Sequence, residues 1–187
     1  MALTEKRSQP VEPEVFRRAM SSFASGVNLI TAYDPEGQPH GMTATAFCPV
    51  SLDPPLVLVC INRDSRTRAL VDASGRFGVS MLAEGSAEIS VHCARPGAAK
   101  ALPGEWLVDD GDARTPVLGS ALVHADCDIH EQHEVGTHTL FIGRVRHVSF
   151  GTATGPLLYF RGTYHRLEEP SAPVEAPRVL RDARSSR

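Results

Sequence analysis

The chain has 187 residues, of which 42% are hydrophobic, and this suits one domain with a substantial core. Its formal net charge is −3, so the chain as a whole lacks the basic surplus typical of nucleic-acid binding. The sequence contains no apolar run near the roughly 20 residues that span a bilayer, and no signal-peptide pattern precedes the first predicted helix. We therefore expect a cytoplasmic protein with reduced thiols.

The composition along the chain predicts three segments. Residues 1–12 are polar and predict a flexible N-terminal arm, residues 13–167 predict the folded domain, and residues 168–187 predict a disordered tail rich in proline and arginine. The domain begins with apolar residues at helical spacing from Pro13 to Phe23. We expect this helix to pack its apolar stripe against the elements that follow.

The first half of the domain alternates short strands and short helices. Asp34-Pro35-Glu36-Gly37 is typical of a turn, and it predicts a hairpin leading into a loop of small residues at Gly41–Ala46. The predicted strands cover 27–33, 56–61 and 76–82, and the predicted helices cover 67–73 and 87–94.

The second half predicts strands alone. Residues 95–119 contain several prolines and glycines and predict a long irregular connection anchored by Trp106 and Leu107. Segments 121–135, 139–150 and 157–167 then predict a meander of three antiparallel strands that closes a barrel. Regular alternation of strand and helix fails after residue 95, so we expect a mainly β fold with short helices and not a doubly wound sheet.

Four potential metal ligands recur every three residues at His124, Cys127, His130 and His133. A strand alternates its faces with a period of two, so His124 and His130 fall on one face and the other two residues on the opposite face. Four ligands cannot then converge without a bulge. We predict no metal site and expect exposed or interface histidines. The fingerprints of dinucleotide-binding and phosphate-loop proteins, GxGxxG and GxxxxGK[ST], are absent.

The stretch from Gly41 to Thr67 offers the most chemistry. A small-residue loop, Thr43-Ala44-Thr45-Ala46, lets a ligand approach backbone amides, and Ser65-Arg66-Thr67 follows a buried strand and opens a helix. Two interpretations of the second cluster remain open. It is either an anion site at a helix N-terminus or an ordinary helix cap with arginines in solvent.

Six segments, in order, carry a family resemblance, and together they span most of residues 14–167. They read FRRAMSSFASGVNLITA, GMTATAFCPVSLDPPLVLVCIN, SRTRAL, FGVSML, GTHTLFIGRV and PLLYFRGTYHRL. The chain resembles the short-chain flavin reductases, the reductase partners of two-component flavin-dependent monooxygenases. The resemblance implies a split β-barrel of the FMN-binding, flavin-reductase-like type and a homodimer. It also implies hydride transfer from NADH or NADPH, with NADH expected, to FMN or FAD, which then supplies an oxygenase.

The resemblance assigns roles residue by residue. The isoalloxazine edge falls on Thr43, Ala44, Thr45 and Ala46; the ribityl and phosphate contacts fall on Asn62, Ser65, Arg66 and Thr67; further pocket candidates are Ser51, Tyr159 and Arg161. His138 matches a histidine near the flavin and nicotinamide rings and is the catalytic candidate. Members of the family often have aspartate where this chain has Thr137, so an orienting carboxylate for His138 must come from elsewhere or be absent.

The sparse inventory of reactive side chains suits such chemistry, because the cofactors carry the reactivity. The protein has to stack two rings and to place backbone amides where negative charge grows. Two alternatives remain: a split-barrel protein that binds FMN for electron transfer without NAD(P)H turnover, and a barrel that binds another ligand such as haem. The sequence does not choose between FMN and FAD.

Overall fold

The computed structural model describes residues 10–95 and 101–168. Most of the predicted N-terminal arm (1–9) and nearly all of the predicted tail (169–187) lie outside the described residues, and so does the segment 96–100. Within the described part, none of the helices has the length and hydropathy needed to cross a bilayer.

The described chain contains three short helices and twelve strands. The first half comprises α1 (Pro13–Met20), β1 (Ser25–Gly26), β2 (Asn28–Tyr33), β3 (Pro39–Ala44), β4 (Phe47–Ser51), β5 (Leu56–Asn62), α2 (Arg66–Ser74), β6 (Arg76–Leu82) and α3 (Ala87–Ala94). The second half comprises a 3-10 turn (Gly104–Trp106), β7 (Leu107–Val108), β8 (Val117–Leu118), β9 (Ala121–Val135), β10 (His138–Phe150), β11 (Leu158–Phe160) and β12 (Thr163–His165).

Seven strands form one antiparallel sheet in the order β3-β2-β6-β9-β10-β5-β4. Its two edge strands, β3 and β4, are consecutive in the chain and are joined only by Thr45 and Ala46. The sheet therefore curls until its edges approach each other, and the Ala46 carbonyl accepts a hydrogen bond from the Cys60 amide of β5 at 3.1 Å. The prediction of a mainly β, barrel-like fold with short helices is confirmed.

The core of the curled sheet is built from alternate residues of its strands. Phe77, Phe141, Val59 and Ile61 are fully buried and belong to one hydrophobic cluster, as the period of two requires. Helix α2 covers this cluster with Val71. The predicted bounds of α3 and of β6 and β9 are confirmed.

The prediction for the first helix is wrong in length and in packing. Helix α1 ends at Met20, and Ser21 closes it, so the chain turns before Phe23 and does not continue to the glycine at 26. None of its residues is buried, and its apolar residues Val15, Phe16 and Met20 are exposed together with Phe23 beyond its end. The apolar stripe therefore has no partner within the described chain.

The small-residue segment at Gly41–Ala46 is mostly a strand and not a loop. Residues through Ala44 pair with β2 in β3, and the next strand, β4, begins at Phe47 where the sequence indicated no strand. The sequence did not predict β4 because it contains Pro49, and proline is tolerated only at sheet edges and bulges. The strand β4 meets this condition, since it is an edge strand with a register shift after Pro49.

The segment 157–167 is not the third strand of a meander. It folds into a hairpin of two short strands, with positive φ angles of 49° at Arg161 and 83° at Gly162 in the turn. Strand β11 pairs with β1 and not with β10, so this hairpin forms a separate three-stranded sheet. The missed signal was the turn preference of Gly162, since positive φ favours glycine.

The long connection after α3 is anchored as predicted. Trp106 and Leu107 pack against the second hydrophobic cluster, which contains Leu29, Leu82 and Leu157. Strands β7 and β8 give the connection a short two-stranded ladder of its own.

Candidate functional site

One end of the curled sheet collects several of the residues singled out by the sequence. The register of β5 and β10 places Asn62 directly opposite His138, and the Arg63 amide donates to the Thr137 carbonyl at 3.1 Å. Asn62 lies two residues beyond Cys60, whose amide is bonded to Ala46. The exposed link between β3 and β4 thus lies at the same end of the curled sheet as the ends of β5 and β10. We call this end of the sheet the edge.

The N-terminus of α2 lies at the same edge. Asn62 shapes the turn into the helix, because its side-chain oxygen accepts from the Asp64 amide at 2.9 Å and its carbonyl accepts from the Ser65 amide at 3.1 Å. The Ser65 hydroxyl accepts from the Arg68 amide at 3.1 Å. Ser65 is therefore the helix cap, as one of the two interpretations predicted. The helix start still presents first-turn amides, which have no partner within a helix.

The two residues after Ser65 differ in access. The Arg66 side chain is 55% exposed, and its guanidinium contacts Asp34 at 3.3 Å. Thr67 is only 1% exposed. Arg66 is therefore available to a ligand in this structure, and the Thr67 side chain is packed into the fold.

The segment Thr43–Ala46 divides in the same way. The Thr43 hydroxyl donates to the Ser90 carbonyl of α3 at 2.7 Å, and Ala44 is buried in β3. Thr45 and Ala46 are exposed. The fold uses the first pair to hold β3 against α3, and the second pair remains accessible at the edge.

Thr137 contacts His138, the catalytic candidate. Its hydroxyl lies 2.9 Å from Nδ1 of His138, and both residues are exposed. The sequence indicated that no carboxylate precedes His138, and a neutral hydroxyl contacts the ring in its place. The hydrogen bond fixes the ring orientation without adding charge.

Three further predicted site residues belong to other segments. Ser51 pairs with Leu56 at the opposite end of β5, about 20 Å along the strand from Asn62 at 3.3 Å per residue. Tyr159 pairs with Ser25 and packs against Tyr164 with ring centroids 5.6 Å apart. Arg161 lies in the β11–β12 turn. Ser51 therefore lies away from the edge, and the assignment of all three residues remains a prediction.

A cleft adjoins the exposed link between β3 and β4. It encloses about 340 Å³, near the lower end of the range for ligand pockets. Its lining is mostly apolar and includes Phe23, Thr45, Phe47, Met81 and Leu157. Two other clefts flank Trp106 and α3, and none of the predicted site residues lines them.

A bulge interrupts the series of potential ligands on β9. A bulge at His130 breaks the strict alternation assumed from the sequence, since Ile142 pairs with Glu131 and Gly143 with Ile129. Across the described residues, no group of three potential ligands is close enough to hold a metal ion. His130 and His133 are exposed, as expected, but the expectation is wrong for His124, which is buried.

His124 belongs to a buried chain of hydrogen bonds. Its Nδ1 lies 2.9 Å from the Ser80 hydroxyl, and its Nε2 lies 3.1 Å from the Thr115 hydroxyl. Thr115 donates to Asp126 at 2.7 Å, and Arg114 pairs with the other oxygen of Asp126 at 3.0 Å. Because a carboxylate only accepts, Thr115 must donate to Asp126 and accept from Nε2–H of His124. Burial lowers the pKa of His124 to about 4, against the opposing attraction of Asp126.

Gly78 explains why this chain of bonds packs so tightly. A Cβ at Gly78 would come within 2.3 Å of the Thr31 hydroxyl, 2.5 Å of the Thr115 hydroxyl and 2.6 Å of the His124 ring. Glycine is therefore required at this position by close approach. The network ties the connection before β8 to β6 and β9.

The sequence did not point to two residues that touch the site. Asp34 was interpreted only as a turn residue, and His40 was not singled out, yet both lie buried beside Arg66. The hairpin register was the available signal, because a β-hairpin with a turn at 34–37 places His40 next to Asp34 on one face.

Comparison with known proteins places the chain in a family. The model of the flavin reductase like domain matches residues 20–168, and the chain belongs to that family. It is 38% identical over 164 residues to an NADH-dependent flavin reductase of a Rhodococcus species, covering 84% of this chain and 90% of that protein. It is 36% identical over 173 residues to the reductase subunit HsaB of a flavin-dependent monooxygenase of Rhodococcus jostii (strain RHA1), covering 91% of this chain and 85% of that protein.

A solved structure agrees with this assignment. The NADH:FAD oxidoreductase SgcE6 of Streptomyces globisporus C-1027, in complex with NAD and FAD fragments, superposes with a TM-score of 0.78 at 30% identity. The match covers 88% of this chain and 100% of that one. The mainly β fold and the family resemblance deduced from the sequence are both confirmed.

Proposed function

We propose that the protein is a flavin reductase that transfers a hydride from NADH to FMN or FAD. One observation carries this proposal: in a chain of the flavin reductase like family, Thr45, Ala46, Asn62 and His138 meet the N-terminus of α2 at one edge. The relatives named as NADH-dependent reductases support the choice of NADH.

The donors at this edge fit a phosphorylated flavin. Backbone amides at the start of α2 and the guanidinium of Arg66 suit a phosphate, since a helix N-terminus and arginine both favour anions. The exposed Thr45–Ala46 link and the adjoining cleft suit the flat ring, because small side chains let a ring approach the backbone. When bound, the flavin accepts the hydride that reduced nicotinamide gives up.

The protein's own residues then bind and orient. His138 stands opposite Asn62, and its ring is held by the Thr137 hydroxyl; we assign it to the rim where flavin and nicotinamide meet. Thr45 and Ala46 are assigned to the ring edge and Arg66 to the phosphate. None of these roles needs a protein nucleophile, because positioning two rings face to face is the catalytic task.

We further propose that the reduced flavin serves a partner oxygenase and that the reaction takes place in the cytoplasm, where NADH is available. Relatives that are reductase subunits of monooxygenases support the first point. A related structure is the reductase component of a tryptophan halogenase, so the class of partner extends beyond monooxygenases.

The exposed apolar face around α1 supports a homodimer. Phe23 is 74% exposed and lines the cleft beside Thr45, so a second copy that covers this face would also close the cleft. Analytical ultracentrifugation measures the state directly. We expect a dimer that Phe16→Glu weakens, and a monomer at all concentrations would contradict this part of the proposal.

An NADH oxidation assay tests the activity. Purified full-length protein is mixed with NADH and free FMN or FAD, and the loss of nicotinamide absorbance is followed. We expect flavin-dependent turnover, reduced in His138→Ala. His133→Ala is the matched control, because His133 is an exposed histidine of the same β9–β10 hairpin whose ring contacts Glu131 at 3.2 Å.

The alternatives give different results. A yellow protein that binds FMN without oxidising NADH would indicate an electron-transfer flavoprotein, and a colourless protein unaffected by flavin would indicate another ligand. Turnover in both variants at the wild-type rate would leave the enzyme assignment intact but remove His138 from it.

A further inference from the structure

Asp34 is a buried carboxylate with four donors. Its Oδ1 accepts from the backbone amides of Glu36 at 3.1 Å and Gln38 at 2.8 Å. Its Oδ2 accepts from Nε2 of His40 at 2.9 Å and from Nη2 of Arg66 at 3.3 Å. Two oxygens with about four lone-pair sites are thereby fully used.

The hairpin between β2 and β3 builds this cluster. His40 pairs with Ala32 across the hairpin, and Asp34 follows Ala32 by two residues, so both side chains lie on the same face. Helix α2 packs on β2 and brings its first residue, Arg66, to the carboxylate. A turn at one end of the sheet is thus joined to the start of the helix.

The cluster keeps Asp34 charged. Burial alone raises the pKa of Asp34, but the bonds from the Gln38 amide and from His40 outweigh it, and the pKa is lowered. An ionised carboxylate only accepts, so Nε2 of His40 carries the proton and donates. Among the described residues, Nδ1 of His40 has no partner.

The contact with Asp34 constrains the Arg66 side chain but uses only part of its hydrogen-bonding capacity. A free arginine at a helix start samples many rotamers, and fixing one of them costs rotamer entropy. One Nη2 contact at 3.3 Å, the longest of the four, holds the guanidinium in place. The remaining N–H groups stay available, as the exposure of the side chain shows.

We propose that Asp34 and His40 are positioning residues that preset Arg66 for the phosphate of FMN or FAD. The inference rests on the proposed function, which assigns Arg66 to that phosphate. A preset guanidinium loses less entropy when it binds phosphate, so the pair favours phosphorylated flavins over riboflavin, which has the same ring and ribityl chain but no phosphate.

The test compares FMN and riboflavin in fluorescence titrations of the full-length protein. Asp34→Asn retains a carbonyl oxygen for the Glu36 and Gln38 amides but removes the negative charge facing His40 and Arg66. We expect it to weaken FMN binding by about 3- to 10-fold and to leave riboflavin binding unchanged. Arg66→Ala should weaken FMN binding by about 10- to 100-fold, the range for losing a charge-assisted bond.

A double-mutant cycle shows whether Asp34 acts through Arg66. In the Arg66→Ala background, Asp34→Asn should have no further effect on FMN binding. Asp72→Asn is the matched control, because Asp72 pairs with Arg68 on the same helix at 3.2 Å, and it should leave the FMN-to-riboflavin preference unchanged. If Asp34→Asn does not fold, His40→Leu, which removes one donor to Asp34, should shift the same preference in the same direction.

Four results would overturn the inference. If Asp34→Asn weakens the binding of FMN and of riboflavin equally, Asp34 only stabilises the turn. Tighter FMN binding would mean that Asp34 competes with phosphate, and a full effect in the Arg66→Ala background would mean that it acts elsewhere. If Arg66→Ala itself leaves FMN binding unchanged, the phosphate assignment fails with the inference, whereas NADH turnover still decides the proposed activity separately.

Discussion

Two buried pairs of histidine and aspartate lie at different places in the sheet and differ in how far they are closed. His40 donates directly to Asp34, and the same carboxylate also holds Arg66, whose side chain reaches solvent. His124 reaches Asp126 through a threonine hydroxyl, and both of its ring nitrogens are bonded. The first cluster opens onto the candidate site, and the second lies between β6, β9 and the connection before β8, where Arg114 joins it to the surface with both of its carboxylate partners in place.

The difference shows how the same residue types take on different tasks. His124 is 1% exposed and Asp126 is 0% exposed, so every donor and acceptor must be satisfied inside the protein. Both networks end in a partly exposed guanidinium, but Arg114 is paired with two carboxylates, whereas Arg66 has one contact at 3.3 Å and keeps hydrogen-bonding capacity for a ligand. We expect changes in the buried network to alter stability, and changes at the open edge to alter binding.

The largest effect should come from Asp126→Ala. The change leaves the buried Thr115 hydroxyl without an acceptor and removes the buried one of the two carboxylates that pair with Arg114, at a combined cost of about 3–5 kcal/mol. Urea unfolding measures the loss. Asp128→Asn is the control, because Asp128 also pairs with Arg114 but is partly exposed, and it should cost less than about 1 kcal/mol. Similar losses in both variants would contradict the special importance of the buried carboxylate.

The free energy of unfolding measured as a function of pH should report on His124, the histidine of that network. The pKa of His124 is about 4 in the fold against an ordinary value of 6.5. As the pH falls from 6.5 to 4, His124 becomes protonated in the unfolded chain but stays neutral in the folded protein. The free energy of unfolding therefore declines. The decline amounts to about 3 kcal/mol at 1.36 kcal/mol per pH unit. His124→Gln should flatten this part of the profile; an unchanged slope would assign it to other groups.

These two predictions concern a network that the sequence did not reveal. Period-two patterns located β6 and β9, but burial of His124 depends on Thr115 and Ser80, which come from distant segments. No local pattern links a loop threonine to a strand histidine. Long-range side-chain contacts of this kind are settled by tertiary packing alone.

The open edge offers a smaller effect that separates stability from binding. Ser65 caps α2, so Ser65→Ala should cost about 1 kcal/mol of stability. Ser65→Asp retains the cap, since aspartate is equally good there, but its charge repels phosphate. We expect Ser65→Asp to keep stability while lowering affinity for FMN by about tenfold or more relative to riboflavin. Equal FMN affinity in the wild type and Ser65→Asp would move the phosphate away from this helix start.

The smallest effect should come from Thr137→Val. It removes the hydroxyl that lies 2.9 Å from Nδ1 of His138, while both residues are exposed and stability should change by less than about 0.5 kcal/mol. We expect NADH turnover to fall by about 2- to 5-fold, as is reasonable for one neutral hydrogen bond. Thr137→Ser retains the hydroxyl and should match the wild type in the steady-state assay. A full rate in Thr137→Val would show that His138 needs no orienting partner.

Much of the candidate site was predictable because its residues are close in sequence or belong to recognisable segments. Ser65, Arg66 and Asn62 follow a strand of clear periodicity, and the capping geometry of Ser65 is local. Thr43 and Thr67 were predicted ligands, yet one hydroxyl is bonded to Ser90 and the other residue is packed into the fold. Sequence identifies a hydroxyl but does not show which neighbour already uses it.

The strand errors have a common physical origin. The strand β4 contains Pro49, and the segment after Leu157 contains Gly162, and each residue has a meaning that depends on its place in the sheet. Proline is acceptable on an edge, and glycine permits a hairpin where a continuous strand was expected. Both assignments require knowledge of which strands are edges, which is a property of the whole sheet.

The pairing of β1 with β11 has a consequence for synthesis on the ribosome. Ser25 and Gly26 find their partners only at Tyr159 and Leu158, near the other end of the described chain. Val27 likewise waits for Leu157, whose carbonyl accepts its amide. The first strand therefore stays open until almost all of the domain has been translated. Such long-range closure slows folding and leaves apolar surface exposed in the nascent chain, so a chaperone should contact this protein before its last hairpin emerges.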